Sequence, residues 1–128
     1  MIKDINQVTI RGRVGNIKVF GKENNVLSIS VATTESYKDR SGRWNDITTW
    51  HRVKAFAGRP GLPPFSALQK GMIVQVAGKL SNNKFTGQDG NEREVTEIEA
   101  AEIVVISDIK ENDLPADKSR PHNYEEDF

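Results

Sequence analysis

Residues 48–56, TTWHRVKAF, crowd an indole, an imidazole, two strong cations and a phenyl ring into one short run. The chemistry open to such a set is non-covalent: flat rings stack on flat partners, and cations between them neutralise anions. In an extended chain alternate side chains share a face, so Thr48, Trp50, Arg52, Lys54 and Phe56 point one way and Thr49, His51, Val53 and Ala55 the other. The second face is small and apolar enough for a core. The first is a poor core, because a buried and unpaired Arg or Lys is strongly destabilising, and an expensive bare surface unless something flat and anionic lies on it.

Nothing accompanies this stripe that suggests bond-making chemistry. Without cysteine the chain has no thiolate nucleophile, disulfide framework or thiolate metal site. Its two histidines, His51 and His122, stand far apart in sequence. Glu97, Glu99 and Glu102 fall near the end of an apparent long hairpin and read as a solvated strand face. GRPG and GQDG read as turns, and neither phosphate-loop pattern, GxxxxGKS or GxGxxG, occurs. No catalytic activity, metal or cofactor is expected.

The elements that must position the stripe are almost all strands. NQVTIRGRVG alternates Val8, Ile10 and Gly12 against Thr9, Arg11 and Arg13 and should close near Gly15. After the turn-like GKENN, Leu27, Ile29 and Val31 face away from Ser28, Ser30 and Ala32 in a second strand. YKDRSGRW reads as a polar loop carrying Tyr37 and Trp44, and the opening stretch is the third strand. AGRPGLPPFSALQKG, with three prolines, reads as a loop followed by a short helix with Phe65 and Leu68 on one side. Two last strands, starting with Met72, Val74 and Val76 opposite Ile73, Gln75 and Ala77, are joined across the Asp-Gly turn QDGN.

Five strands with one short helix between the third and fourth predict an all-β fold, a small closed or nearly closed barrel. Gly12, Gly15, Gly71 and Gly78, in or beside strands, suit sharply coiled barrel strands. With 128 residues and 36% apolar content, the chain supports one domain, residues 1–107. Residues 108–128, DIKENDLPADKSRPHNYEEDF, lack periodicity and read as a disordered acidic tail. The formal net charge of zero hides this division: 15 Lys and Arg face 11 Asp and Glu up to residue 107, and 3 face 7 beyond it. Neither a signal peptide nor an apolar membrane span is apparent, which predicts a soluble, cytoplasmic protein.

Rings on which bases can stack, interleaved with cations for the phosphates between them, are what a single-stranded nucleic-acid surface needs. Duplex reading would favour a basic helix for the major groove, and no such helix is predicted. Tyr37, Trp44, Trp50, Phe56 and Phe85 all sit on elements that can line one face of a small barrel.

NQVTIRGRVG, VLSISVATTESYKDRSGRWNDITTWHRVKAF, LQKGMIVQVAGKL and NKFTGQDGNEREVTEI together resemble the bacterial-type single-stranded DNA-binding proteins, from residue 6 to about 106. TWHRV, the Lys-Gly pair that opens a strand and the basic-aromatic hairpin with T-x-Q-D-G carry the resemblance jointly. It implies an OB-fold barrel, assembly as a homotetramer, and sequence-independent binding and protection of single-stranded DNA during replication, recombination and repair, in association with the nucleoid. Base-stacking positions of the family fall on Tyr37, Trp50, Phe56 and Phe85, and backbone contacts on Arg11, Lys54, Lys79 and Lys84, to which Arg52 is added by its place beside Trp50. His51 falls where the family has a subunit contact. The terminal cluster Tyr124, Glu125, Glu126, Asp127 and Phe128 stands where the family docks replication and repair proteins. Three departures are visible: AGRPGLPPFSALQKG shortens the expected helix, the tail is brief and ends YEEDF, and two positions where the family prefers tryptophan carry Tyr37 and Phe85, which keeps stacking but weakens it. An OB module for protein contact, such as an accessory subunit of a replication complex, and an RNA-binding OB module remain alternatives.

Overall fold

A computed structural model describes residues 2–107. Five strands, β1 (Val8–Phe20), β2 (Val26–Lys38), β3 (Trp44–Phe56), β4 (Ile73–Thr86) and β5 (Glu92–Ser107), form a closed barrel in the order β1-β2-β3-β5-β4, with β4 returning to β1. Neighbours are antiparallel except β3 and β5, which run parallel and pair only at Val53 with Ile98 and Lys54 with Glu99. Alternate residues point inward, so Leu27, Ile29, Val31, Val53, Val74, Val76 and Ile98 fill the interior and lose nearly all contact with water.

The expected barrel is present, with three local differences. β1 does not close near Gly15 but continues to Phe20, its register with β2 shifting between Val14 and Ile17. A bulge there bends the strand instead of ending it, and Ser30 Oγ accepts from the Asn16 backbone N–H at 2.8 Å across it. Tyr37 and Trp44 lie on strands, not in a loop, because β2 and β3 stay paired out to Lys38 opposite Trp44. The helix between β3 and β4 is a single 3₁₀ turn, Phe65–Ala67. Pro60, Pro63 and Pro64 bar a start before Phe65, and Leu68, already extended at ψ 135, ends the turn ahead of Gly71 at φ 93. Its apolar contribution survives: Leu68 is buried and Phe65 packs against the core.

Because β5 touches β3 at two positions only, the N-terminal half of β3 and the β4–β5 hairpin diverge from that point. The tips of both long hairpins are tied by carboxylates. Asp39 Oδ1 accepts from the backbone N–H of Ser41 and of Arg43 and from Ser41 Oγ, at 2.9, 3.0 and 2.6 Å, and Asn45 Nδ2 donates to its other oxygen at 2.9 Å. Donation from the Ser41 hydroxyl, then from Asn45 and the Arg43 amide, lowers the Asp39 carboxyl from 3.8 to about 2. Asp89 holds the β4–β5 turn in the same way, its pKa lowered first by the Asn91 amide and then by Arg93. Gly90, at φ 80, supplies the left-handed residue that turn needs.

Candidate nucleic-acid interface

The alternation read along TTWHRVKAF holds. Val53 and Ala55 are fully buried, while Trp50, Arg52, Lys54 and Phe56 stand on the outer face, Trp50 with 62% of its surface exposed. Register extends this face sideways. Lys54 is opposite Ser28, which is opposite Lys18; Phe56 is opposite Val26, which is opposite Phe20. Two Lys-x-Phe pairs, Lys18 with Phe20 and Lys54 with Phe56, therefore lie side by side on β1 and β3, separated by the small outward residues of β2. In each pair the ammonium sits 5.5 Å from its own ring centroid. Arg59, from the loop after β3, reaches within 5.9 Å of the Phe56 ring.

Trp50 lies against the β1 bulge. A Cβ on Gly15 would stand 2.6 Å from Trp50 Cζ3 and from Ser30 Oγ, so the indole occupies the space a side chain there would take. One side of the ring is seated on backbone and the other faces outward.

Opposite this surface stands the β4–β5 hairpin. Phe85, Asn83, Val95 and Glu97 form a wall facing Trp50, Arg52 and Lys54, and a groove of about 690 Å³ runs between. Two rings, Trp50 and Phe85, flank it, Phe20 lies at its margin, and Lys18, Arg52, Lys54 and Lys84 supply positive charge. The ion pair of Lys84 with Glu92, 3.8 Å apart with both side chains about two-thirds exposed, is too solvated to hold that lysine from an incoming phosphate. The groove thus offers rings for stacking and four cations for anions, with His51 and the Glu97 carboxylate also in its lining. Among the described residues no three His, Cys, Asp or Glu side chains gather as metal ligands.

Not every expected site residue converges here. Trp50, Phe85, Arg52, Lys54 and Lys84 line the groove together, and Phe56 lies beyond Lys54 at one end. Tyr37 is half-exposed far out on the β2–β3 ribbon, opposite Asn45, and alternation puts it on the His51 side of that ribbon, away from Trp50. Trp44, which shares the Trp50 side, is the ribbon's other exposed ring. Arg11 lies on another wall of the barrel, donating to Gln75 Oε1 at 2.8 and 3.2 Å. Lys79 is next to the Lys54 row, 3.4 Å from Glu99, which Arg59 also approaches at 3.9 Å. His51, half-buried with its Nε2 2.8 Å from Thr33 Oγ1, does line the groove beside Trp50, and it borders a second hollow in which Val8, Ile10, Leu80 and Ile98 meet Trp50, Arg52 and Glu97. The cluster Tyr124 to Phe128 lies outside the described residues.

The sequence reading missed Lys18 and Phe20, although the repeated pattern KVF and KAF was a usable signal. It also misjudged the acidic residues of β5. Only Glu102 is fully solvated; Glu99 is paired with cations, and Glu97 is 8% exposed at the groove wall, where Asn83 Nδ2 donates to it at 2.8 Å.

Comparison with known proteins places the barrel among relatives of one family. The family model described as the single-strand binding protein family matches residues 5–106. A single-stranded DNA-binding protein of Xylella fastidiosa is 41% identical over 109 residues, covering 83% of this chain and 66% of the relative, so the chain spans just under two thirds of that relative's length. A mitochondrial single-stranded DNA-binding protein of Drosophila melanogaster is 37% identical, with 83% of this chain and 74% of the relative covered. Among solved structures, a Plasmodium falciparum SSB complex with ssDNA superposes with a TM-score of 0.64 at 26% identity, over 84% of this chain and 99% of that one. A single-stranded DNA-binding protein from Thermus aquaticus, 20% identical with a TM-score of 0.63 over 81% of this chain and 51% of that one, shares the fold.

Proposed function

The chain belongs to the single-strand binding protein family, and from that premise we propose that it binds single-stranded DNA in the groove between the outer face of β1–β2–β3 and the β4–β5 hairpin, without catalysing a reaction. The observation that carries this reading is the convergence of Trp50 and Phe85 with Lys18, Arg52, Lys54 and Lys84 in one cleft. Splayed bases stack on the rings at ~1–3 kcal/mol each, and the cations hold the intervening phosphates. Because every base has a flat face, this mode is tolerant of sequence. Phe56 with Arg59, and then Lys79, continue the strand's path past Lys54; Tyr37 and Trp44 receive DNA that leaves the barrel along the β2–β3 ribbon.

The biological role that fits is protection of single strands during replication, recombination and repair, in the cytoplasm at the nucleoid. No helix among the described residues is long and apolar enough to cross a membrane. We further propose assembly as a homotetramer, with His51 and the apolar hollow of Val8, Ile10 and Leu80 at a subunit contact, and docking of replication and repair proteins by Tyr124 to Phe128. Half-exposed Leu80 and the apolar side chains beside it favour a covered surface there.

A titration of a fluorescent dT oligomer against a duplex of matched length, at ~0.15 M salt, tests the binding reading. Strong preference for the single strand is expected, and equal affinity would refute it. A parallel titration with the matching rU oligomer addresses RNA. Light scattering at micromolar concentration should report four times 14.3 kDa; a monomer would refute the assembly.

A further inference from the structure

β1 changes the direction of its side chains partway along. Val14 is buried and Ile17 packs against the same core, yet residues three apart lie on opposite faces of a regular strand. The bulge between them reconciles the two: the register passes from Val14 opposite Val31 to Ile17 opposite Ile29, so β1 spends one residue more than β2. A one-residue slip exchanges the faces of everything beyond it. Without the bulge Ile17 and Val19 would point out of the barrel and Lys18 and Phe20 into it. With it, Lys18 and Phe20 stand outside, opposite Ser28 and Val26. The bulge is pinned where Ser30 Oγ accepts from the Asn16 N–H at 2.8 Å, and Gly15 within it leaves the space that Trp50 fills. One irregularity therefore both seats the indole and re-aims the residues that follow.

The re-aimed pair has what a nucleotide needs. Phe20 keeps 37% of its surface in water, the Lys18 ammonium is 5.5 Å from its ring centroid, and both line the groove with Trp50, Lys54 and Phe85. An exposed ring with a cation beside it offers a flat face to a base and a positive charge to the neighbouring phosphate. β3 carries the same unit in Lys54 and Phe56, again at 5.5 Å. Because β1 and β3 both run antiparallel to β2, the two units point the same way, with only Ser28 and Val26 between them. Two strand spacings, ~10 Å, separate them, so each takes a nucleotide of its own.

We propose that Lys18 and Phe20 form a further nucleotide subsite on β1, created by the bulge, in which Phe20 stacks one base and Lys18 holds the adjoining phosphate. It works in addition to the platforms of Trp50, Phe56 and Phe85 and widens the bound surface from β3 across to β1. The subsite selects no base, because the ring offers only its face. This inference rests on the groove being the DNA site.

The experiment uses the full chain and a labelled dT oligomer of about 15 nucleotides, long enough to fill one barrel. Phe20→Leu keeps a large apolar side chain but has no flat face, and should raise Kd about tenfold with an unchanged urea midpoint. Lys18→Ala should reduce the magnitude of the slope of log Kobs against log salt by about 0.7. Phe20→Trp should bind as the wild type does and lose more fluorescence on DNA addition than the wild type, because a third indole is then covered by a base. Wild-type affinity in Phe20→Leu, an unchanged slope in Lys18→Ala, or no added quenching in Phe20→Trp overturns the subsite. Trp50→Ala, titrated alongside, separates the two readings: if it alone weakens binding, the groove stands without this subsite, and if no variant weakens binding, the groove reading falls with it. Should Phe20→Leu fail to fold, the quenching of Phe20→Trp decides the matter.

Discussion

Replacing Trp50 by alanine should separate binding from stability. The ring keeps 62% of its surface in water, so a little over a third is hidden, mostly against the Gly15 bulge. For a side chain that buries ~150–250 Å² when enclosed, that share is roughly 60–95 Å², and at ~25 cal/mol per Å² it contributes about 1.5–2.4 kcal/mol. This is an upper figure, because the unfolded chain already shields some of the same surface. The barrel, whose core does not include the indole, should remain folded. Loss of one stacking platform removes ~1–3 kcal/mol of binding, a 5- to 150-fold rise in Kd. Urea denaturation gives the first quantity, and anisotropy of a labelled dT oligomer at fixed salt gives the second. A stability loss of ~3–5 kcal/mol, as for an excised core aromatic, or an unchanged Kd in a folded variant, would refute the assignment of this ring to the DNA.

Gly15→Ala leaves the indole in place chemically but puts a methyl group 2.6 Å from Cζ3, so the exposed ring must shift; a folded protein with weakened dT binding and altered tryptophan fluorescence is expected, and unchanged binding would count against the bulge as the ring's seat. Four cations at the groove predict a log Kobs versus log salt slope of about −3 for a short oligomer, and Lys54→Ala should reduce its magnitude by about 0.7; a slope that does not change would place Lys54 off the phosphate path. Asp39 has a folded pKa of about 2, below the ordinary 3.8, so its hold on the β2–β3 turn is fully present above about pH 4 and is lost as pH falls through 2. Protection factors of the Ser41 and Arg43 amides, taken relative to the intrinsic exchange rate at each pH, should fall over that window, and Asp39→Asn should show the lower protection already at neutral pH.

What the sequence by itself determined are the features set by local stereochemistry. Side-chain direction in an extended chain alternates whatever lies around it, so the Trp50, Arg52, Lys54 and Phe56 face and the inward Val53 and Ala55 were legible from nine residues. The same holds for the Asp-Gly turn at residues 89 and 90 and for the proline-rich segment that cannot build a long helix. Where β1 ends was not legible: Gly15 punctuates a strand in isolation, but pairing of Ile17 to Phe20 with β2 carries the strand through it. The site itself needed the tertiary structure, because register over long sequence separations decides which exposed groups meet. It set Lys18 and Phe20 beside Lys54 and Phe56, and closed the hairpin wall of Phe85 across from Trp50. It turned Tyr37 and Arg11 onto surfaces outside the groove, which their residue types alone do not reveal. Glu97 is the sharpest case: along β5 it is one acid among several, and only the folding of the β4–β5 hairpin over the β3 face removes it from water while leaving Glu102 in it.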